Sequence, residues 1–294
     1  MSHQRVSLFP GRFQPFHNGH KFIVDQALAA GKKVVIGLRD TPISDSDPYS
    51  YEQRAEMIRR VYGDKVGVML FPDIESINVG RGVGYDVNYI EAPKNVQAIS
   101  ATKVRSGQGS GDLPEGVDDY VRLLETTIWF TGLPCSGKTT LAKALKTKLV
   151  AKGYNVMLVD GDELRTGLCE GLGFTDEGRK ENLRRAAWMC ETLNRSKIVV
   201  LASFVSPTTE LRKIVGGIVK NLVLVHAACD PEICEKRDVK GMYAKARQGI
   251  IKGFTGVDAA YEIPTENENA LSIDTGTQPV EESVKKLMDK IGAE

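Results

Sequence analysis

Short runs of β-branched and aromatic residues alternate along this chain with longer segments whose apolar positions recur every three or four residues. In the first part, Arg5–Phe9 (RVSLF), Val34–Leu38 (VVIGL) and Gly67–Phe71 (GVMLF) read as strands. Lys21–Ala30 and the amphipathic Tyr51–Val61 (YEQRAEMIRRV) read as helices. In the second part, Thr127–Thr131 (TIWFT), Asn155–Val159, Ile198–Ser203 and Leu222–Ala227 read as strands. Thr139–Lys152, stopped by Gly153, together with Gly178–Asn194 and Val280–Ile291, read as helices. Strands that alternate with helices pair in parallel, so the pattern predicts an α/β chain with two parallel-sheet domains. Both halves open alike, with a β-rich run, a glycine-containing loop and a helix. Between them Ser106–Gly116 (SGQGSGDLPEG) is rich in glycine, serine and proline and feeds a short helix, Val117–Leu124. That shift sets the expected domains at residues 1–124 and 125–294.

Composition narrows the class. At 294 residues the chain is long for one domain, and 41% hydrophobic with 26% charged residues is ordinary for a soluble globular protein. A formal net charge of +1 gives no field for nucleic acid or a membrane surface, so small molecules are the expected partners. No apolar stretch approaches the roughly 18 residues of a membrane span, and the N-terminal run MSHQRVSLFPGRF lacks a signal-peptide layout. The five cysteines form no C-x-x-C pair or zinc spacing and read as reduced thiols of a cytoplasmic protein. Cys135 lies inside the second glycine loop, where a small loop-filling residue is preferred over a redox-sensitive thiol.

The strongest chemical signal is Gly132-Leu133-Pro134-Cys135-Ser136-Gly137-Lys138-Thr139, a match to G-x-x-x-x-G-K-[ST] that sits after a strand and before a helix, with Thr140 following. The glycines let consecutive backbone N–H groups face phosphate oxygens. Lys138 adds a point charge on the β- and γ-phosphates, and Thr139 offers a hydroxyl to Mg²⁺. The pattern alone says only ATP or GTP, held with Mg²⁺. Asp160-Gly161-Asp162 follows the next strand, where a carboxylate can hold Mg²⁺ or accept a hydroxyl proton. Asp160 can equally be a helix N-cap, and the two roles are compatible.

Further on, the residues are similar to those of adenylylsulfate kinases. The stretches that carry the resemblance are DGDELRTGLCEGLGF (Asp160–Phe174), GRKENLRRAAWM (Gly178–Met189), FVSP (Phe204–Pro207), CEKRDVKGMYAKARQG (Cys234–Gly249) and KGFTGVDAAYEIP (Lys252–Pro264). They run in order with no large gap. The resemblance implies a P-loop kinase fold and phosphorylation of adenosine 5′-phosphosulfate on its 3′-hydroxyl by ATP. It implies catalytic roles for Lys138, Asp160 and Ser206, the last at the position the family marks as a phosphoserine. It implies that Arg165, Arg179 and Asn182 grip the phosphosulfate, that Phe174 and Phe254 sandwich the adenine, and that Lys240 reaches substrate from a lid over Asp238–Gly249. Asp162 and Thr255 belong to the same substrate set. Assembly as a homodimer or larger homo-oligomer is the family expectation.

The residues agree in kind. Arg165, Arg179, Arg185, Arg237, Lys240 and Arg247 exceed what one ATP needs, whereas Lys180, Arg184 and Lys245 read as solvated helix faces. One departure stands out. After Ser206-Pro207 the family places Tyr, and an Asp before the next Arg; here those positions are Thr208 and Leu211, and a second Arg is missing from KIVGGIV. A related nucleotide such as a nucleoside diphosphoramidate therefore stays open as the kinase substrate.

The first half carries Gly11-Arg12-Phe13-Gln14-Pro15-Phe16-His17-Asn18-Gly19-His20, with H-x-G-H after a strand, and Ile99-Ser100-Ala101-Thr102-Lys103-Val104-Arg105 near its end. These resemble the nucleotidyltransferase superfamily, and Pro48–Ile58 resembles a block of the nicotinamide-nucleotide adenylyltransferases. The resemblance implies a Rossmann-like domain in which His17 and His20 are catalytic and lie on triphosphate oxygens. Gly19 would let the backbone approach, Ser100 and Thr102 would cap a helix over the phosphates, and Arg105 would meet the β/γ end. Gly11, Arg12 and Phe13 complete the nucleotide set. The glycine run Gly80–Tyr85 reads as a tight loop, and the acceptor of this half stays open. A bifunctional enzyme and a kinase with a ligand-sensing N-terminal module are the two organisations the sequence allows.

Overall fold

The computed structural model describes residues 5–76, 86–109 and 111–293, and the chain folds as two compact units, Met1–Val121 and Arg122–Glu294. The glycine run Gly80–Tyr85 lies outside the described residues.

The first unit is built from β1 (Ser7–Gly11), α1 (Asn18–Ala29), β2 (Val34–Arg39), α2 (Tyr51–Tyr62) and β3 (Val66–Phe71), followed by the short helices α3 (Lys94–Gln97) and α4 (Ala101–Arg105). Its three strands are parallel in the order β1-β2-β3, with Ser7 beside Val34 and Val34 beside Val66. Val34, Ile36, Leu38 and Val66 share one sheet face and are buried, as are Val24 of α1 and Ala55, Met57 and Ile58 of α2. The first strand starts two residues later than the sequence pattern predicts and includes Pro10. It tolerates proline because it is an edge strand of this sheet. The helix α5 (Val117–Leu124) forms as expected, but the units divide within it, after Val121, and not at its end.

The second unit runs β4 (Thr127–Thr131), α6 (Lys138–Ala151), β5 (Val156–Asp160), α7 (Gly161–Arg165), α8 (Asp176–Arg195), β6 (Val199–Ser203), α9 (Thr209–Ile218), β7 (Leu222–Ala228), α10 (Pro231–Arg237), α11 (Met242–Arg247), β8 (Leu271–Asp274) and α12 (Val280–Ile291). The sheet is parallel throughout, in the order β5-β6-β4-β7-β8. All five residues of β4 are buried, which fits a central strand covered on both faces. From β4 the chain first builds to one side and then, with β7, to the other. That reversal opens a crevice at the carboxyl ends of the strands, where ligands bind in such sheets. The helix α8 packs Leu183, Ala186, Ala187 and Cys190, spaced one helical face apart, into a core with Trp129, Val200 and Ala202.

The strand β8 and the helices α9, α10 and α11 were not legible in the hydrophobic pattern. The strand has four residues, too few to show a period. The helix α9 contains Gly216 and Gly217, poor helix formers, and is held by its Thr208 cap and by burial of Leu211 and Val215. Among the described residues no helix is long and apolar enough to cross a membrane. Leu145 is fully buried on α6. Leu145→Ala is expected to lower the unfolding free energy by about 2–5 kcal/mol in urea titrations, with activity lost only as the folded fraction falls.

Candidate active sites

In the second unit the loop between β4 and α6 is folded for an anion. Gly132 has φ 153°, and a Cβ there would stand 2.7 Å from Ser136 Oγ and 2.8 Å from the Ala227 carbonyl, so only glycine fits. Cys135 and Gly137 also take positive φ, at 61° and 91°. Gly137 caps α6 without a side-chain bond, and the first helical bond runs from Leu141 N to Gly137 O. The first-turn N–H groups of Lys138, Thr139 and Thr140 therefore lack helical acceptors and carry the positive end of the helix dipole. Lys138 is 8% exposed, and its Nζ donates to the carbonyls of Gly132 (3.0 Å) and Leu133 (2.6 Å). Burial pushes this ammonium down to about 8, against the pull of Cys234, Cys135, Asp160 and Asp162.

One cavity of about 680 Å³ opens over this loop. Pro134, Cys135, Gly137, Lys138, Thr139 and Thr140 line it, while Gly132, Leu133 and Ser136 are not in its wall. Leu133 instead packs with Cys234 and Tyr243, and Cys135 fills the edge of that cluster. Asp160 ends β5 and caps α7, so the cap reading holds. Its Oδ1 accepts from Asp162 N (2.9 Å), and its Oδ2 accepts from Thr139 Oγ1 (2.8 Å), which also lies 3.0 Å from Ser203 Oγ. These are hard oxygen donors converging beside the phosphate loop, the chemistry a Mg²⁺ ion requires.

The same cavity is lined by Asp162, Arg165, Phe174, Arg179, Asn182, Lys240, Phe254 and Thr255, so the whole expected substrate set comes together. The Arg165 guanidinium lies 4.1 Å over the Phe174 ring and donates to the Leu172 carbonyl at 2.7 Å. Phe174 is 63% exposed, a large apolar ring on offer to a flat ligand. Phe254 meets Tyr243 edge-on at 5.0 Å. Arg179 binds the Phe174 and Gly253 carbonyls and donates to Thr255 Oγ1 (3.2 Å), tying the two aromatic segments together. Asn182 is 5% exposed, and its Oδ1 has no partner among the described residues. Lys240 pairs with Asp162 at the cavity mouth.

Ser206 is placed in the wall but differently from expectation. It is 2% exposed at φ 35°, and its Oγ accepts from the Trp129 indole N–H at 3.1 Å. That hydroxyl is engaged by the core, which does not suit a freely attacking nucleophile. Arg185 and Arg247 also depart from the expected cation set, since both pair with carboxylates, Arg185 with Glu181 within α8 and Arg247 with Glu235 of α10. Lys180 and Arg184, expected on solvated helix faces, pair with Glu210 of α9 and with Glu181. Residues the sequence reading missed include Thr275, whose Oγ1 donates to Ser136 O (2.6 Å), and Ser203 beside Thr139. Ser203 had one sequence signal, its place at the carboxyl end of a predicted strand; Thr275 had none, because β8 was not legible. Arg237 faces the cavity as expected and donates to Thr275 O at 2.8 Å.

In the first unit His17 and His20 form a reciprocal capping box on α1. His17 Nδ1 accepts from Gly19 N (3.1 Å), His20 Nδ1 accepts from His17 N (3.3 Å), and the rings stack at 3.7 Å. Each neutral ring therefore carries its proton on Nε2, available as a donor to a phosphate oxygen. A Cβ on Gly19 would stand 2.9 Å from the His17 ring, and one on Gly11 would stand 2.8 Å from the Phe13 ring. Phe13 has φ 52° and packs edge-on against His20. Arg12 pairs with Asp47 at 3.3 Å. Arg105 donates to Gln14 O and to Thr102 Oγ1. Ser100 caps α4 through Lys103 N (3.2 Å) as expected. Thr102 is not a second cap; it sits inside α4, where its hydroxyl serves Arg105. Arg54, within the Pro48–Ile58 block, is 1% exposed. Its Nη1 donates to the carbonyls of Arg12 and Arg39, both at 2.9 Å, and so holds the carboxyl ends of β1 and β2 together.

A parallel sheet with this loop, carboxylate and second nucleotide-sized set defines a P-loop kinase in the second unit. Residues 124–272 match the adenylylsulphate kinase family, and residues 8–106 match the cytidylyltransferase-like family. The adenylyl-sulfate kinase of Microcystis aeruginosa is 44% identical over 165 residues, covering 56% of this chain and 90% of that protein. That of Shewanella pealeana is 45% identical over 168 residues, covering 56% and 81%. The solved structure of the Mycobacterium tuberculosis APS kinase in complex with AMPPNP and APS superposes with a TM-score of 0.54 at 35% identity, over 57% of this chain and 97% of that one. The chain belongs to the adenylylsulphate kinase family and carries a cytidylyltransferase-like domain ahead of the kinase.

Burial pushes His17 down to about 4 and His20 down to about 3; the nearby Asp112 pulls His17 up, and His17 pushes His20 further down. Both bases are thus depressed in the fold, so the unfolded chain binds more protons below pH 6.5. Stability is full above 6.5 and falls, by up to about 1.4 kcal/mol per pH unit for each ring, as pH drops toward 4. In the full chain, ring Cε1–H resonances of both histidines should stay at neutral positions at pH 6 and shift only near or below 4. Titration near 6.5 would contradict this burial.

Proposed function

We propose that the second unit transfers the γ-phosphoryl group of ATP to the 3′-hydroxyl of adenosine 5′-phosphosulfate, giving ADP and the 3′-phosphorylated product. The observation that carries this reading is that one cavity joins the phosphate loop to a second cation-and-aromatic set built around Arg165, Phe174, Arg179 and Phe254. ATP would lie with its β- and γ-phosphates on the first-turn amides of α6 and on Lys138. That anion replaces the two loop carbonyls now holding Nζ. The second nucleotide would slide its adenine between Phe174 and Phe254, with its charged groups on Arg165, Arg179, Asn182 and Lys240. Asp162 and Thr255 orient Lys240 and Arg179, to which they are bonded.

Transfer is in line. The substrate oxygen bonds to the γ-phosphorus as the bond to the β–γ bridging oxygen breaks, and the departing pair of electrons stays on ADP. Asp160, beside Thr139, is placed to accept the hydroxyl proton. Thr139 Oγ1 and Asp160 would hold Mg²⁺, which when bound neutralises charge shared by the β- and γ-phosphates. Ser206 shapes the wall and needs no covalent role. The five cysteines are free, which fits a reducing, cytoplasmic setting, and a homodimer or larger homo-oligomer is the assembly we favour. Leu211, at the position where the family has a carboxylate, lines the cavity, and this observation favours testing a nucleoside diphosphoramidate beside the sulfate-bearing nucleotide.

For the first unit we infer nucleotidyl transfer, with His17 and His20 donating Nε2–H to a nucleotide triphosphate and Arg105 near its end. Gly11, Arg12 and Phe13 form the loop beneath it. The acceptor is left to experiment, and a ligand-sensing role is the alternative outcome.

Purified protein with ATP, Mg²⁺ and adenosine 5′-phosphosulfate should release ADP. Lys138→Ala should lower that rate by about 10²–10³-fold, and His17→Ala should leave it within about twofold. ADP release that survives Lys138→Ala would sink the assignment. For the first unit, pyrophosphate release from ATP or CTP with small phosphorylated acceptors should be lost in His20→Ala. Nucleotide binding by calorimetry without release for any acceptor would favour the sensor.

A further inference from the structure

The ion pair between buried Arg212 and half-buried Glu268 is absent from the cavity wall, yet what it holds is part of that wall. Arg212, on α9, is 3% exposed. Its Nε and Nη2 donate to Glu268 Oε2 and Oε1 at 2.6 and 3.0 Å, a two-pronged match of guanidinium and carboxylate. Its Nη1 donates to Ser206 O at 3.0 Å. Ser206 carries a positive φ that a non-glycine residue keeps only when neighbours over-determine it. Three other bonds converge there. Thr131, the last residue before the phosphate loop, donates from Oγ1 to Val205 O (2.8 Å) and Ser206 O (3.3 Å), and the Trp129 indole donates to Ser206 Oγ (3.1 Å). From the far side Glu262 N donates to Pro207 O, and Thr209 N donates to Glu262 Oε2, both at 2.7 Å. Glu268 Oε1 also accepts from Thr265 N (3.0 Å).

We propose that Arg212 and Glu268 are a positioning pair for the second nucleotide: they lock the Ser206–Pro207 turn to the segment 261–268 that follows the Phe254 wall, and they do so without touching either ligand. The proposal rests on reading the cavity as a site for two nucleotides. The physical reason is specificity of geometry. A buried ion pair adds little net stability over apolar residues of equal size. The fork, however, permits one orientation of the Ser206 carbonyl, and a wall displaced by about 1 Å can cost two orders of magnitude in rate. Leu211, lining the cavity one residue before Arg212, moves with the same turn. The carboxylate that holds Arg212 comes from 56 residues further along the chain, which no local motif would reveal.

Two measurements test this. In steady-state assays Arg212→Met should raise KM for adenosine 5′-phosphosulfate about tenfold while KM for ATP stays within about twofold. Arg212→Lys, which keeps the charge and loses the fork, should fall between. A proportional rise in both constants, or no change for the second nucleotide, would overturn the proposal. The second measurement does not depend on turnover. In a Trp188→Phe background Trp129 is the single tryptophan, since the chain has two. Trp129 is fully buried, so releasing Ser206 leaves its indole N–H without an acceptor in a dry core, and Arg212→Lys and Arg212→Met should each shift Trp129 emission to the blue relative to the parent. Unshifted emission in the folded Lys variant would refute the positioning role. A parent protein that shows the shift on mutation but releases no ADP with this nucleotide would instead count against the substrate, and leave the pair standing.

Discussion

A lysine ammonium withdrawn from water and held by the carbonyls of its own loop is the constraint around which the second unit is arranged. Lys138 cannot stay charged in the interior without partners, and the loop gives it two, Gly132 O and Leu133 O. For those carbonyls to turn inward, the loop amides must turn outward. That in turn requires Gly132 to pass between Ser136 and Ala227 with no side chain. The unpaired amides of α6 and the restrained ammonium are therefore two results of one backbone path. An incoming triphosphate satisfies both at once, which is how a resting fold can hold a charged site ready without losing its stability.

The rest of the unit fixes what surrounds that loop. The reversal of strand order at β4 places the ends of β5 and β6 on one side, delivering Asp160 and Ser203 to Thr139. The end of β8 on the other side delivers Thr275 to Ser136. The cations divide by the same geometry. Arg165 and Arg179 are held by carbonyls and hydroxyls of the cavity wall, while Arg184, Arg185 and Arg247 are spent on helix-surface carboxylates. Charge counted along the sequence overstates the site, because a helix shows only one face to it. The first unit is organised around a different local device. Two stacked imidazoles accept backbone N–H bonds on Nδ1, which leaves the proton of each neutral ring on Nε2, and Arg54 braces the ends of β1 and β2.

Much of this is legible in the sequence. The strand, loop and helix that hold Lys138 could be read because the spacing of glycines, lysine and threonine is itself the geometry of the loop. His17, Gly19 and His20 were legible for the same reason, since a reciprocal cap is a contact between residues two and three apart. The segments β8 and α9 were not, because four residues carry no period and two glycines argue against a helix that tertiary burial nonetheless imposes.

What the sequence determined by itself was whatever depends on near neighbours: the alternation that forces parallel sheets, the phosphate loop, the Asp160 cap and the imidazole pair. What only the tertiary structure decided was whatever depends on residues far apart in the chain. The partner of Arg212, the engagement of the Ser206 hydroxyl by Trp129 and the surface fate of Arg185 and Arg247 belong to this group. A hydrogen bond across dozens of residues leaves no periodic trace in the sequence, and it exists only once the sheet has set the distance between its ends.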